Sequence, residues 1–242
     1  MKKFLVVAVV LVLGATIVGG AVIIPGYTSN VCEPGGTLNV SELLENPVYD
    51  IEGKIYGKVS LLGELFCPCF ELTSGGEKVL VWYGLMVEDD GTERPSVSVE
   101  GIENGDWAIV TGELKSEGEY RALNDFWASN IEKAVSVNAS HAGEEVIVAV
   151  GDLLIVTLES NPTTGFVWTL EENSDESVLQ EVGHEYVAAE TTEPPMPGTG
   201  GEELWTFQAL KEGTSIISMK YSRLWEEGVE PAETFSLTVV VK

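Results

Sequence analysis

Apolar and polar residues alternate with a period of two along the second half of the chain. Val146, Val148 and Val150, for example, alternate with Ile147 and Ala149. A period of two places successive side chains on opposite faces of a strand, so this half predicts strands that each bury one face. The predicted strands are Ala134–Ala139, Glu145–Val150, Leu153–Glu159, Phe166–Leu170, Val178–Val187, Glu203–Leu210, Thr214–Tyr221 and Thr234–Val241. This pattern is typical of an immunoglobulin-like β-sandwich, which we place at residues 135–242.

The region before the sandwich, residues 48–134, contains a second group of short β-rich runs. They are Tyr49–Ser60, Glu64–Leu72, Lys78–Tyr83, Trp107–Leu114 and Tyr120–Asn130, and glycines separate them. Five short strands with this spacing predict a small closed barrel. Their order and the placement of their glycines resemble the OB fold. The sequence therefore predicts an all-β body, with a small OB-like β-barrel followed by the sandwich.

The net charge of the chain indicates whether the aromatic residues of the barrel bind nucleic acid or pack within the protein. OB folds often bind single-stranded nucleic acid through basic grooves and stacked aromatic rings. This chain has a formal net charge of −26 over 242 residues, and it is acidic on both sides of Ala134. An acidic surface repels phosphate, so we expect no nucleic-acid partner. We expect the rings to pack inside the barrel instead; they belong to Trp82, Tyr83, Trp107, Tyr120 and Trp127.

An uncharged run from Phe4 to Ile24 follows two lysines at the N-terminus. At about 1.5 Å per helical residue, it is long enough to cross a hydrocarbon core about 30 Å thick. It predicts a membrane or signal helix within residues 1–25. One reading is an uncleaved anchor that holds the chain in the membrane through residues 4–24, and the other is a cleaved secretory signal. The apolar character up to Pro25 favours the anchor. In both readings the body is extracytoplasmic, membrane-anchored or secreted.

Residues 26–47 predict a short stalk between this segment and the barrel, because prolines, glycines and polar residues leave little to bury. Within it, Val40–Glu45 predicts one or two helical turns, which Asn46 and Pro47 end.

The chain has three cysteines, Cys32, Cys67 and Cys69, and an odd number leaves at least one thiol or an intermolecular bridge unexplained. Neighbouring strand positions aim their side chains apart, so we expect no easy disulfide between Cys67 and Cys69. A bridge from Cys32 to one of them stays open. A metal site needs more ligands than these cysteines, and the histidines are only His141 and His184.

The sequence lacks the motifs of common catalytic sites. It contains no G-x-S-x-G, H-E-x-x-H or P-loop pattern. Gly198–Gly201 is followed by two glutamates and a strand, whereas a phosphate-binding loop leads into a helix. We therefore expect that the chain is not an enzyme and needs neither cofactor nor metal.

The most informative motif is Asn161-Pro162-Thr163-Thr164-Gly165-Phe166, which lies between two predicted strands. Pro162 fixes its own φ and Gly165 tolerates a positive φ, so the motif predicts a rigid, tight loop at one end of a sheet. Its tip carries small hydroxyl groups and no strong acid, base or metal ligand. That composition suits a loop that enters another protein's cleft, although an ordinary hairpin turn has the same local pattern.

Two further loops follow between later strands, Gly198-Thr199-Gly200-Gly201 and then Arg223-Leu224-Trp225. In this order, the three loops resemble those of the chagasin family, whose members inhibit papain-like cysteine proteases. The resemblance covers roughly Val135 to Lys242. It departs from the family at Leu224, where Arg-Pro-Trp is usual, and this difference bears on the stiffness of the third loop.

The resemblance implies an immunoglobulin-like fold and a papain-like cysteine protease as partner, with the three loops filling its active-site cleft. It places Thr163 nearest the catalytic thiol and histidine and Gly198–Gly201 along the non-primed side. Arg223 and Trp225 then pack on the primed side. The alternative is a cell-surface recognition or adhesion module that uses the same loops for another kind of partner.

Overall fold

The computed structural model describes residues 17–18, 21–22, 36–119, 121–189, 198, 200–226 and 228–242. The chain divides into two compact units, residues 1–36 and residues 37–242. In the first unit, strands β1 (Ile17–Val18) and β2 (Ala21–Val22) pair antiparallel. At these positions the β-branched residues form strands instead of the predicted helix. The rest of that helix, residues 4–24, lies outside the described residues, as does Cys32. Among the helices that the structure describes, none has the length and apolar character that a membrane crossing needs.

The second unit opens with strand β3 (Thr37–Asn39) and helix α1 (Val40–Glu45), so the predicted helical turns are confirmed. Asn39 caps the helix, because its Oδ1 accepts the Glu42 N–H at 2.8 Å while the Glu42 carboxylate accepts the Asn39 N–H at 2.9 Å. Leu43 is buried against the barrel, and β3 pairs with a barrel strand. Residues 37–45, which belong to the predicted stalk of residues 26–47, therefore pack onto the barrel.

The barrel is a closed ring of five strands. In chain order the strands of this region are β4 (Glu52–Ser60), β5 (Cys69–Ser74), β6 (Glu77–Trp82), β7 (Met86–Val87), β8 (Glu93–Arg94), β9 (Trp107–Leu114) and β10 (Asp125–Lys133). The ring runs β4-β5-β6-β10-β9 and closes because β9 also pairs with β4. Only β6 and β10 run parallel within it, and β7 pairs with β8 outside it. The OB-fold resemblance itself stays a prediction.

Three barrel strands begin later than predicted: β4 starts at Glu52 instead of Tyr49, and β5 and β10 differ more. Strand β10 starts at Asp125 because Asn124 adopts a φ of 66° in the turn before it. Strand β5 starts at Cys69, and Cys67 lies in the bend that precedes it. Cys67 and Cys69 form a disulfide, so the expectation that they would not bridge each other is wrong. That expectation failed for two reasons. Residues two positions apart in a strand share a face, and Cys67 lies in a bend instead of in the strand.

Of the barrel's aromatic residues, Tyr83 packs against the barrel core, whereas the prediction that the rings pack inside the barrel is wrong for Trp107 and Trp127. Their strand neighbours Ala108 and Phe126 face the core, so these two rings are buried on the outer face of the barrel. Trp107 is 8% exposed and Trp127 is 3% exposed. The face of Trp127 is contacted by the Lys115 ammonium, whose nitrogen lies 4.9 Å from the ring centroid. Trp82 and Tyr83 are half-buried, and Tyr120 lies outside the described residues.

Two four-stranded sheets follow the barrel and pack face to face. The strands are β11 (Val135–Asn138), β12 (Glu145–Val148), β13 (Leu153–Ser160), β14 (Val167–Asn173), β15 (Leu179–Ala188), β16 (Gly201–Ala209), β17 (Gly213–Ser222) and β18 (Glu233–Val241). One sheet has the order β11-β13-β16-β15, and the other has the order β12-β18-β17-β14. With the barrel, they confirm a mostly β fold.

The alternation in sequence identifies the core of the sandwich. Ile217 and Met219 are buried, at 0% and 1% exposure, and Val148 is buried while its neighbour Ile147 is 54% exposed. The shared core of the two sheets is lined by Leu154, Val156, Leu158, Trp168, Trp205, Phe207, Ile217, Met219, Phe235, Leu237 and Val239. This apolar layer holds the strand ends in fixed positions.

The barrel covers part of the outer face of the β11-β13-β16-β15 sheet. A buried cluster joins the two, and its members are Tyr56, Trp107, Ile109, Ala134, Leu153, Ile155 and Leu204. The Gly75 N–H in the β5–β6 turn also donates to the Glu185 carboxylate at 2.8 Å. The proposed division into domains of residues 48–134 and 135–242, as independently folding parts, stays a prediction.

Candidate functional site

The three predicted loops lie at the same end of the sandwich. Strand β13 ends at Ser160, which pairs with Gly201 at the start of β16, and Gly201 pairs with Ala188 at the end of β15. In the facing sheet, Val167 at the start of β14 pairs with Ser222 at the end of β17. The connections β13–β14, β15–β16 and β17–β18 therefore emerge side by side. We call them loop 1 (residues 161–166), loop 2 (residues 189–200) and loop 3 (residues 223–232).

Loop 1 is held by its own short hydrogen bonds. Pro162–Thr164 forms a single 3₁₀ turn, which ends at Gly165 with a φ of 82°. The Thr164 N–H donates to the Asn161 carbonyl at 3.0 Å, and the Thr164 hydroxyl donates to the same oxygen at 2.6 Å. The Thr163 hydroxyl donates to the Asn161 side-chain oxygen, also at 2.6 Å. The predicted rigid turn therefore has a defined source, because each side chain of the tip bonds to the loop itself.

Asn161 connects loop 1 to both of its neighbours. Its backbone N–H donates to the Tyr221 hydroxyl at 2.8 Å, and its side-chain amide donates to the Gly198 carbonyl at 3.0 Å. Glycine is required where loop 2 rejoins the sheet, because a Cβ on Gly201 would overlap the Val187 carbonyl. A Cβ on Gly200 would lie 3.0 Å from the Ser160 carbonyl oxygen. Thr199 lies outside the described residues.

Loop 3 packs directly on loop 1. The Arg223 guanidinium donates to the Thr164 carbonyl at 3.2 Å and lies 4.5 Å from the centroid of the Phe166 ring. It also pairs with Glu226 at 2.9 Å. The Trp225 ring rests on Gly165, so closely that a Cβ there would overlap it. Arg223 and Trp225 thus support loop 1 as well as extending the surface beside it.

The tips of loops 1 and 3 are open to solvent. Leu224 is 69% exposed, Trp225 is 67% exposed, and Thr163 is exposed. Leu224 and Trp225 are neighbours in loop 3, and exposed apolar side chains that adjoin one another form the kind of surface that contacts other molecules. In the part of the chain that the structure describes, no group of side chains is arranged to hold a metal ion.

Four residues that support the site were not predicted from the sequence, namely Ser160, His184, Glu203 and Tyr221. Tyr221 stacks on Trp168, with ring centroids 5.2 Å apart, and lies 5.3 Å from the Phe166 ring. Glu203 is 3% exposed and bonds to the Ser160 hydroxyl and the His184 ring. A signal for Glu203 existed. It shares the alternating face of Trp205, Phe207 and Ala209, where the period of two predicts an apolar residue.

The part of the chain that carries these loops is similar in sequence to known proteins. The sequence model of the chagasin family peptidase inhibitor I42 matches residues 147–239. Amoebiasin-2 from Entamoeba histolytica is 32% identical over 95 residues, which cover 39% of this chain and 75% of that protein. Chagasin from Trypanosoma cruzi is 32% identical over 104 residues, which cover 42% of this chain and 92% of that protein.

Solved structures include similar chains of the same size as the sandwich. The crystal structure of the cysteine protease inhibitor EhICP2 from Entamoeba histolytica is 26% identical, with a TM-score of 0.41, and the match covers 45% of this chain and 96% of that one. The solution structure of Amebosin is 27% identical, with a TM-score of 0.38, and the match covers 45% and 98% respectively.

Proposed function

This chain belongs to the chagasin family of peptidase inhibitors, and from that premise we propose that it inhibits papain-like cysteine proteases by inserting loops 1, 2 and 3 into the active-site cleft. Membership of that family makes the chain an inhibitor rather than an enzyme. The observation that carries the proposal is the contact of both outer loops with loop 1, through Asn161 to Gly198 and through Trp225 to Gly165.

Such contacts favour tight binding for a physical reason. Binding orders flexible segments, and each immobilised side chain or loop costs free energy. Here loop 1 is already ordered by bonds within it and by its contacts with Gly198, Arg223 and Trp225, so less of that cost remains to be met on association. The exposed ring of Trp225 adds the kind of side chain that dominates interface energies.

In this proposal, Thr163 approaches the protease's catalytic cysteine, because it lies at the exposed tip of the central loop. Its side chain ends in a hydroxyl and offers the thiolate no acyl group, so in this proposal the loop blocks the cleft by shape. Gly198, Thr199 and Gly200 of loop 2, with the adjoining Gly201 of β16, run along the non-primed side. Arg223, Leu224 and Trp225 of loop 3 cover the primed side.

The test is inhibition of papain with a fluorogenic peptide substrate. Thr163→Arg places a charge and extra bulk at the tip, and we expect it to cost several kcal/mol of binding. Trp225→Ala removes a large apolar contact, and we expect it to cost about 2 kcal/mol or more. Thr214→Arg is the matched control, because Thr214 is exposed at the opposite end of the sandwich, and it should inhibit like the parent.

If Thr163→Arg and Trp225→Ala are both folded by circular dichroism and both inhibit like the parent, cleft filling is wrong. A parent chain that leaves papain fully active would also contradict the proposal. In either case the surface-recognition alternative, with another partner for the same loops, would replace it.

We also propose that the body is extracytoplasmic. The proposal rests on the uncharged run 4–24 after Lys2 and Lys3, and the Cys67–Cys69 disulfide supports an oxidising compartment. Cell fractionation with protease shaving tests it. Cleavage of the body in intact cells, or its release into the medium, is expected, and a soluble cytoplasmic protein would contradict it.

A further inference from the structure

Glu203 is a charged residue in an apolar layer. It lies on strand β16 on the same face as Trp205 and Phe207, and only 3% of it is exposed. An isolated carboxylate in such a place is strongly unfavourable unless it accepts several hydrogen bonds. The Glu203 carboxylate meets this requirement, because hydrogen-bond donors from three different strands converge on it.

Two of these donors come from the two ends of loop 1. One carboxylate oxygen, Oε1, accepts the Ser160 hydroxyl at 2.7 Å and the Trp168 backbone N–H at 3.1 Å. Ser160 is the last residue of β13, before loop 1, and Trp168 is the second residue of β14, after it. Because β13 and β14 belong to different sheets, a single oxygen joins the two sheets at the point where loop 1 crosses between them.

The second oxygen, Oε2, is held by His184 of strand β15, whose Nε2 lies 2.9 Å away. An ionised carboxylate only accepts hydrogen bonds, so Nε2 carries the hydrogen. The imidazole is itself fixed in position, because it stacks on Trp205 with ring centroids 3.8 Å apart and an interplanar angle of 15°. The carboxylate is thus oriented from β13, β14 and β15 together.

We propose that Glu203 is the positioning residue of the inhibitory surface: its carboxylate sets the distance between the two ends of loop 1 and thereby the placement of Thr163. This inference rests on the proposed function for its effect on a protease. The clamp itself, formed by Ser160, Trp168, His184 and Glu203, is a property of the free protein. Charge-assisted hydrogen bonds of this kind are shorter and stronger than neutral ones, so they suit a fixed geometry.

The test compares Glu203→Ala with Glu203→Gln in the full chain. Alanine removes all three contacts, and we expect the inhibition constant for papain to rise about tenfold or more. Glutamine keeps one accepting oxygen for Ser160 and Trp168 but loses the charge, so a smaller rise is expected. In the free protein, the amides of loop 1 and Trp168 should exchange with deuterium faster in Glu203→Ala than in the parent.

Ser215→Ala is the matched control for a general loss of stability. Ser215 is 0% exposed and its hydroxyl bonds to Asn173 and to the Asp175 N–H, at the opposite end of the sandwich. Its loss should lower the melting temperature while the inhibition constant stays at the parent value. An equal rise in the inhibition constant in Ser215→Ala would overturn the positioning role.

The outcomes separate this inference from the proposed function. If the parent does not inhibit papain, the function fails, and hydrogen exchange still decides whether Glu203 holds loop 1. If Glu203→Ala folds and leaves both the inhibition constant and the exchange of loop 1 unchanged, the clamp is wrong. If Glu203→Ala does not fold, Ser160→Ala removes one donor alone, and unchanged inhibition and exchange in that variant would likewise overturn the proposal.

Discussion

At the scale of single residues, two independent features require glycine at position 165. Its φ of 82° is unfavourable for any residue with a Cβ, and the Trp225 ring occupies the space that a Cβ would need. We expect Gly165→Ala to displace Trp225 and to raise the inhibition constant about tenfold. Gly151→Ala is the matched control, because Gly151 has a φ of 93°, open space around it and a place at the opposite end of the sandwich. Equal inhibition by the Gly165 variant and the parent would contradict the role of this stack.

The half-buried carboxyl of Glu185 should make the stability of the protein depend on pH. Burial raises the pKa of its carboxyl above the ordinary value, and the Gly75 N–H only partly offsets this. An acid whose pKa is raised on folding contributes stability below its unfolded pKa and loses that contribution as the pH rises through the folded pKa. We therefore expect Glu185→Gln, which keeps an oxygen for Gly75, to be more stable than the parent at pH 7, by less than about 1 kcal/mol because the group is half-exposed.

The measurement is thermal unfolding of the parent and Glu185→Gln between pH 3.5 and pH 8, a range that brackets the ordinary carboxyl pKa of about 4.3. The difference should be present at neutral pH and should disappear as the carboxyl is protonated. Glu181→Gln, on an exposed position of the same strand, serves as the control and should show no such difference. A neutral-pH difference of the opposite sign would contradict the pKa argument.

At the scale of elements, loop 3 carries leucine where its family has proline. In the described part of the chain, the Leu224 N–H donates no backbone hydrogen bond, so a proline there removes none. We expect Leu224→Pro to leave the inhibition constant unchanged or slightly lower, because proline reduces the freedom of the unbound loop. Inhibition of papain by parent and variant measures this. A large loss of inhibition in a folded variant would show that the backbone at Leu224 cannot adopt the φ of proline.

Strands were the elements that the sequence predicted best. The alternation around Ile217 and Met219 identified both the strand and its buried face, because one face of each sheet meets the core. The start of β5 was wrong because a local pattern does not reveal the bend at Cys67 and its disulfide. Loop 1 was found because Pro162 and Gly165 act locally. The contacts of Asn161 with Tyr221 and Gly198 join residues far apart in sequence, so only the fold could show them.

At the scale of the whole molecule, the barrel and the sandwich share buried surface. Leu153, Ile155 and Leu204 point from the sandwich into the cluster with Tyr56 and Trp107. A fragment of residues 135–242 contains all three loops, so we expect it to fold and to inhibit papain. It should melt at a lower temperature than residues 37–242, because exposing each large apolar side chain costs about 2 kcal/mol.

Thermal unfolding and papain titration of the two fragments test this. Leu204→Thr in residues 37–242 is the control, because it weakens the shared cluster without removing the barrel. Equal melting temperatures for the two fragments would show that the shared surface adds nothing to stability. A folded fragment 135–242 that does not inhibit would show that the barrel contributes to the inhibitory surface.

The exposure of Trp225 also gives the molecule an optical property. The chain has six tryptophans, and the other five are buried or half-buried while Trp225 is 67% exposed. Indole emission moves to shorter wavelength when the ring leaves water, so docking of loop 3 should produce a blue shift that Trp225→Phe abolishes. Subtracting the spectrum of that variant removes the emission of the protease. Occupancy of the inhibitory loops can then be followed in real time by the protein's own fluorescence, without an attached dye.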